Sequence, residues 1–199
     1  MVKKMSEIKL KRGKIMSILN EKTEETSKKI HLMVTNLCSR HCPNCCNKYY
    51  SLDDIPLVTE DELKDCESLF LTGGEPFEFC NVDALAKYYK EHYPNIENVI
   101  VYGNVKEFAD YLFLANGTLN YVDGVSLSIK DKEDLDIWNR SVRNLMQYRG
   151  KTRNLIHNRL YCFIDGEIIE ADRFLKIQRK WVNHKEWKPA DDSIFRRAF

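Results

Sequence analysis

Short apolar runs alternate with helical segments along most of this chain, and that alternation narrows the fold more than any other feature. Lys29 to Asn36 reads as a first strand, and Thr59-x-x-Glu62 is a capping box opening a helix near residue 60. Ser68 to Thr72 is a second strand, followed by a helix from Asn81 to His92 that Pro94 stops. Asn98 to Tyr102 is a third strand, continuously apolar as a strand buried on both faces should be. A helix over 104–116 follows, closed by Asn116-Gly117, and Val122 to Lys130 is a fourth strand. Leu135, Trp138, Val142 and Leu145 keep helical period up to Gly150, and Asn158 to Ile164 is a fifth strand. Gly166 to Glu170 reads as a hairpin return or a sixth strand. Strands joined by helical crossovers imply right-handed parallel βαβ units and an α/β fold. The units number fewer than eight, so an incomplete parallel barrel is expected rather than a closed one.

At 199 residues the chain suits one domain with a real core. The divisions expected are a basic N-terminal extension over 1–28, the barrel over 29–170, and a basic, aromatic C-terminal segment over 171–199 packing on or near it. Six Lys/Arg face only Glu7 within residues 1–14, and eight face Glu186, Asp191 and Asp192 within 173–199, so both ends are basic and the middle is acidic. Such ends serve as solvated surface or as contacts for an acidic partner or phosphates. Arg173, Lys176, Arg179, Lys180, Trp181, Lys185, Trp187 and Lys188 read foremost as a solvated amphipathic helix on the barrel. No apolar run approaches the roughly 18 residues of a membrane span, and no apolar segment follows the N-terminal lysines. A cytoplasmic protein is expected, without membrane or nucleic-acid partners. Seven cysteines outside any disulfide framework suit a reducing compartment.

Three of those cysteines, Cys38, Cys42 and Cys45, fall in a loop just after the first strand, spaced x3 and x2. A loop this tight cannot bury three thiols as core residues, but they can converge on one metal. Structural zinc wants four protein ligands, which His41 could complete; an iron–sulfur cubane held by three thiolates keeps one iron open. A second segment, Gly73-Gly74-Glu75-Pro76, ends the second strand. Either signal alone is weak, and the two in this order are not.

Together they resemble the cluster loop and glycine-rich motif of the radical S-adenosylmethionine (radical SAM) enzymes. The usual aromatic residue before the third cysteine is replaced by Asn44. The resemblance implies a partial (β/α)6 barrel, the radical SAM core, with Cys38, Cys42 and Cys45 holding a [4Fe-4S] cluster. It implies S-adenosyl-L-methionine on the open iron and an electron donor such as flavodoxin or ferredoxin. Reductive cleavage would then give a 5′-deoxyadenosyl radical that abstracts hydrogen from a substrate, a protein partner or a small molecule.

The resemblance also assigns residues. Gly73 and Gly74 would let backbone approach the methionyl amine, and Glu75 would assist or only anchor the turn. Ser126, Ser128 and Lys130 alternate with Leu127 and Ile129, so period two places them on one face. Ser128 and Lys130 match positions that meet the ribose hydroxyls and, in the glycyl-radical activating enzymes, the methionyl carboxylate. Asn104 either caps its helix or contacts the cofactor. Cys46 is expected to pack the loop, and Cys66, Cys80 and Cys162 to be buried apolar thiols. The absence of a second cysteine cluster argues against auxiliary clusters. Among small single-cluster members the chain most resembles the activating enzymes and the 7-carboxy-7-deazaguanine synthases. A non-catalytic zinc or iron–sulfur binding module is the alternative from another class. No general acid or base is evident.

Overall fold

The computed structural model describes residues 28–42, 45–48, 51–114, 118–147, 152, 154–165, 169–180 and 192–199. Among the described residues seven strands form one sheet: β1 (Lys29–Thr35), β2 (Ser68–Gly73), β3 (Asn98–Asn104), β4 (Gly124–Ile129), β5 (Arg159–Cys162), β6 (Leu175–Gln178) and β7 (Ile194–Arg197). Their order is β6-β5-β4-β3-β2-β1-β7, and every neighbouring pair is parallel. The α/β class with a parallel sheet is therefore as the alternation predicts.

The helices start where the local chemistry places them. Thr59 and Glu62 form the capping box of α1 (Glu60–Asp65). Pro76 occupies the first turn of α2 (Pro76–Phe79), where its missing N–H costs nothing. Asn81 caps α3 (Val82–His92) by accepting from the Ala84 amide, and α4 (Val105–Leu114) follows β3 directly. Asp131 caps α5 (Lys132–Ile137), which runs through a π-helical turn over Trp138–Val142 into α6 (Arg143–Gln147). Among the described residues no helix is long and apolar enough to cross a membrane.

From β1 to β6 each new strand adds to the same side of the last. Right-handed crossovers repeated in one direction put their helices on one face of a sheet. Burial agrees: Ile30, Leu32, Leu69, Leu71, Val99, Val101, Val125 and Leu127 join Val82, Ala86, Phe108, Leu112, Leu135 and Trp138 in one core. Each fully buried aliphatic side chain there contributes about 1.5–3 kcal/mol. The alternate strand positions, among them His31, Phe70, Tyr102, Ser126 and Arg159, lie outside that core and form the opposite face. Among the described residues no strand contains Asp or Glu.

Several expectations change. The sixth strand is Leu175–Gln178 rather than 166–170, of which 166–168 lie outside the described residues and Ile169 and Glu170 are not in a strand. The helix expected across 173–188 is replaced, where described, by β6, whose Leu175 and Ile177 alternate with Lys176 and Gln178 in strand period. A seventh strand, β7, pairs with β1 on the far edge, so the C-terminal segment is part of the sheet at both ends of it. Residues 1–27 of the N-terminal extension lie outside the described residues. Cys66 and Cys162 are fully buried, but Cys80 is only half-buried and reaches no closer than 3.9 Å to the Val34 carbonyl.

Candidate metal and cofactor site

The cysteine loop leaves β1 at Thr35 and is stitched at once to the turn after β2. Gly74 N–H donates to the Thr35 carbonyl at 2.7 Å, and Glu75 N–H donates to the Leu37 carbonyl at 2.8 Å. This fit accounts for both glycines. Gly73 has φ +131°, where side chains are disfavoured, and a Cβ there would stand 2.0 Å from the Thr35 oxygen. A Cβ on Gly74 would stand 1.9 Å from the Leu37 oxygen. The missing side chains thus make room for the loop backbone, and the Gly73 carbonyl already accepts from Asn47 Nδ2 at 3.1 Å. Farther along, Ser39 N–H donates to Glu78 of α2 at 3.1 Å.

Arg40 is the strongest tether. Its guanidinium donates to Asp134 at 2.6 and 3.1 Å, to Asp131 at 3.0 Å and to Glu107 at 3.5 Å. Asp134 is 0% exposed and Glu107 is buried, so the loop's one arginine neutralises two buried carboxylates of α4 and α5. Burial works against the Arg40 charge, and Asp134, with Glu107 and Asp131, more than offsets it. Arg40 escapes sequence reasoning because a carboxylate beside apolar helical residues looks the same whether solvated or buried.

Cys38, Cys42 and Cys45 are half-buried and none is in a disulfide. The Cys45 amide donates to the Cys42 carbonyl at 3.3 Å, closing a turn between them. Cys38 Sγ donates to the Arg40 carbonyl at 3.6 Å. Burial pushes the Cys38 thiol up; the Arg40 hydrogen bond opposes it, and negative charge on Glu75, Cys42 and Cys45 adds to it. Lys130, at the end of β4, brings Nζ to 3.6 Å from Cys42 Sγ. Among the described residues no three His, Cys, Asp or Glu side chains are already gathered around one point as a metal site. The donor set nevertheless fits a thiophilic centre, since three half-buried thiols share one loop and a cation stands ready to balance thiolate charge. His41 is exposed, and Asn44 lies outside the described residues.

Behind the loop sits Glu75, 1% exposed. Its carboxylate accepts from Phe77 N–H at 3.3 Å and Asn104 N–H at 3.1 Å, and from Asn104 Nδ2. Burial and then Glu107 push its carboxyl up to about 8, against Lys130 and these N–H donors. Glu75 therefore anchors the turn, caps α2 and ties it to β3. Asn104 ends β3 and does not cap α4 through its side chain; its Oδ1 is buried with no hydrogen-bond partner among the described residues. Ser126 Oγ is likewise buried and unpartnered, lying toward the Tyr102 phenol without completing a hydrogen bond. Ser126, Ser128 and Lys130 share the face opposite the helices, in register with Tyr102 and Arg159, and with Asn104 and Tyr161.

Of the residues singled out from sequence, Gly73, Gly74 and Glu75 meet the cysteine loop, Lys130 meets Cys42, and Asn104 meets Glu75. Ser126 and Ser128 reach neither loop nor turn directly. Comparison with known proteins gives no match to a family model, to a curated protein or to a solved structure.

Proposed function

We propose that this chain is a radical SAM enzyme whose sheet is the partial (β/α)6 barrel of that family. The observation that carries the reading is the meeting, at one edge of a parallel sheet, of the three-cysteine loop, the Gly73-Gly74-Glu75-Pro76 turn and Lys130, three segments distant in sequence. Ligands collect at the C-terminal edge of parallel sheets. The sequential order β1 to β6, with helices on one face, supports the barrel part of the proposal.

Cys38, Cys42 and Cys45 would hold the [4Fe-4S] cluster. With S-adenosyl-L-methionine bound, that cluster would supply the electron for reductive cleavage of the sulfonium, the chemistry that the reading requires. Every other role belongs to the chain. Gly73 and Gly74 let the loop pack against the β2 turn. Arg40 holds the loop on α4 and α5. Lys130, beside Cys42, places an ammonium where it would pair the methionyl carboxylate. Asn104 Oδ1 and Ser126 Oγ are buried acceptors with unused lone pairs, suited to hydroxyl or ammonium donors of a ligand. Half-burial of the three thiols limits water around them.

The test is anaerobic reconstitution with iron and sulfide, then dithionite and S-adenosylmethionine. About four irons per chain and 5′-deoxyadenosine well above a Cys42→Ala control are expected. Lys130→Ala should keep its iron and lose affinity for S-adenosylmethionine. Zinc in place of iron in the purified protein, or no 5′-deoxyadenosine above the control, overturns the reading.

A further inference from the structure

A cavity of about 750 Å³ lies on the helical side of the molecule, walled by α2, the start of α3 and one side of α4. Neither Lys130 nor any of the three loop cysteines lines it, although Ser39 of the cysteine loop does. Its volume is that of a small-molecule site. The sequence makes its wall acidic. Glu107 and Asp110 stand three residues apart on α4, hence on one side of that helix, while Glu78 comes from α2 and Asp83 from the first turn of α3. Against these four carboxylates the described lining residues set one cation, Lys106, which leaves a formal net charge of −3.

The neighbours of these groups do not cancel that charge. Glu78 and Asp83 accept from the uncharged amides of Ser39 at 3.1 Å and Tyr121 at 2.8 Å. Asp110 is exposed and makes no hydrogen bond or ion pair among the described residues. Glu107 is the most demanding of the four. It is 5% exposed, yet its ion pair with Arg40 is 3.5 Å long, because the shorter bonds of that guanidinium go to Asp134 and Asp131. Burial pushes the Glu107 carboxyl up, against its own backbone amide and Arg40. A buried carboxylate so loosely paired is costly unless a further cation approaches it. Between the acids the wall is apolar. Phe79 is 44% exposed, and the half-buried Tyr111 packs edge-on against Phe77 at 5.5 Å. Such a surface suits the methylene stem of a ligand whose charges lie at intervals along it.

We propose that this cavity binds an aliphatic polyamine, its ammonium groups shared among Glu78, Asp83, Glu107 and Asp110 and its methylene segments lying along Phe79 and Tyr111. Among the described residues no three acidic, Cys or His side chains converge on one point, so the carboxylates are spread around the cavity and do not form the close oxygen cage a divalent metal needs. A single ammonium would leave most of them unanswered. Charges separated by apolar stem match carboxylates separated by apolar wall. The site lies apart from the one assigned to S-adenosylmethionine and does not rest on the radical SAM reading; 5′-deoxyadenosine formation tests that reading and not this one.

The experiment titrates the whole chain by calorimetry, at about 0.15 M salt so that loose surface attraction is screened, with spermidine, putrescine, butylamine, Mg²⁺ and trilysine. Spermidine is expected to bind saturably, on the order of tenfold more tightly than putrescine, with butylamine weaker still. Putrescine and Mg²⁺ carry equal charge, so tighter binding of putrescine reads the shape of the site rather than its charge. Asp110→Asn should weaken spermidine on the order of fivefold. Asp61→Asn removes an equally exposed carboxylate of α1 outside the cavity and should leave the affinity unchanged. Both positions are exposed, so neither variant puts folding at stake. No saturable binding to the unaltered chain, Mg²⁺ binding as tightly as putrescine, or equal losses in the two variants overturns the proposal. Trilysine, which has the net charge of spermidine, overturns it by binding more tightly, since the cavity would then belong to a basic protein segment.

Discussion

Arg40 joins the cysteine loop to three carboxylates on two elements, and the balance of charge there decides how firmly the loop is held. Removing the guanidinium leaves Asp134, fully buried, with its charge uncompensated. Arg40→Gln is expected to destabilise the chain by about 3 kcal/mol, because an unpaired buried carboxylate costs more than the pair contributes. Adding Asp134→Asn should recover part of that loss, since the amide carries no charge to strand. Urea unfolding of the two single variants and the double closes a cycle whose coupling should exceed about 1.5 kcal/mol. Strictly additive losses would show that Arg40 and Asp134 do not act as a pair. At this scale the sequence was readable where a period or motif exposed a residue. Lys130 stands out by its two-residue spacing from Ser128, and in the fold its Nζ lies 3.6 Å from Cys42 Sγ. Arg40 has no such signature, because its partners are 67 to 94 positions away and only the fold joins them.

Between β1 and β2 the decisive fit is backbone against backbone. The resemblance assigns Gly73 and Gly74 to an approach by the methionyl amine, and an absent side chain carries no record of which neighbour it makes room for. The neighbour is the cysteine loop itself, at Thr35 and Leu37. Gly74→Ala must therefore push the loop away and break the bonds from Gly74 to Thr35 and from Glu75 to Leu37. The expected result is a loss of more than about 2 kcal/mol, with iron uptake falling below that of the parent while far-ultraviolet circular dichroism is unchanged. Full iron uptake by Gly74→Ala would mean that the loop tolerates the shift and that its stitching to β2 does not position the cysteines. Strands β1 to β4 were legible to within about two residues, because their apolar runs are short and bounded by turns or caps. The π turn over Trp138–Val142 was not legible: Trp138 and Val142, both buried, fit ordinary helical spacing equally well.

The molecule as a whole depends on a strand that composition disguised. Residues near the C-terminus are dense in Lys and Arg, which reads as solvated surface, yet Ile194–Arg197 forms β7 against the outer edge of β1. Four residues are too few to show a period, and their partner lies more than 160 positions earlier, so local pattern could not reveal the pairing. The strand is held by more than the ladder. The Ala198 amide donates to the Met33 carbonyl at 3.0 Å, the Arg197 amide to Pro56 at 2.9 Å, and the Val58 amide to Arg197 at 3.0 Å. Arg196 pairs with Glu62 at 2.6 Å, linking the strand to the capping box of α1. Without β7, the hydrogen-bonding edge of β1, the strand that launches the cysteine loop, would face water and other chains. A chain ending at residue 191 is therefore expected to melt at lower temperature and to self-associate with rising concentration in light scattering. Arg196→Gln, which keeps the strand and loses only a partly exposed ion pair, should cost no more than about 1 kcal/mol and stay monomeric wherever the parent does. The contrast separates edge protection from charge: a shortened chain as stable and as dispersed as the parent would show that β1 needs no cover, and equal losses in both variants would assign the role of β7 to the Arg196–Glu62 pair.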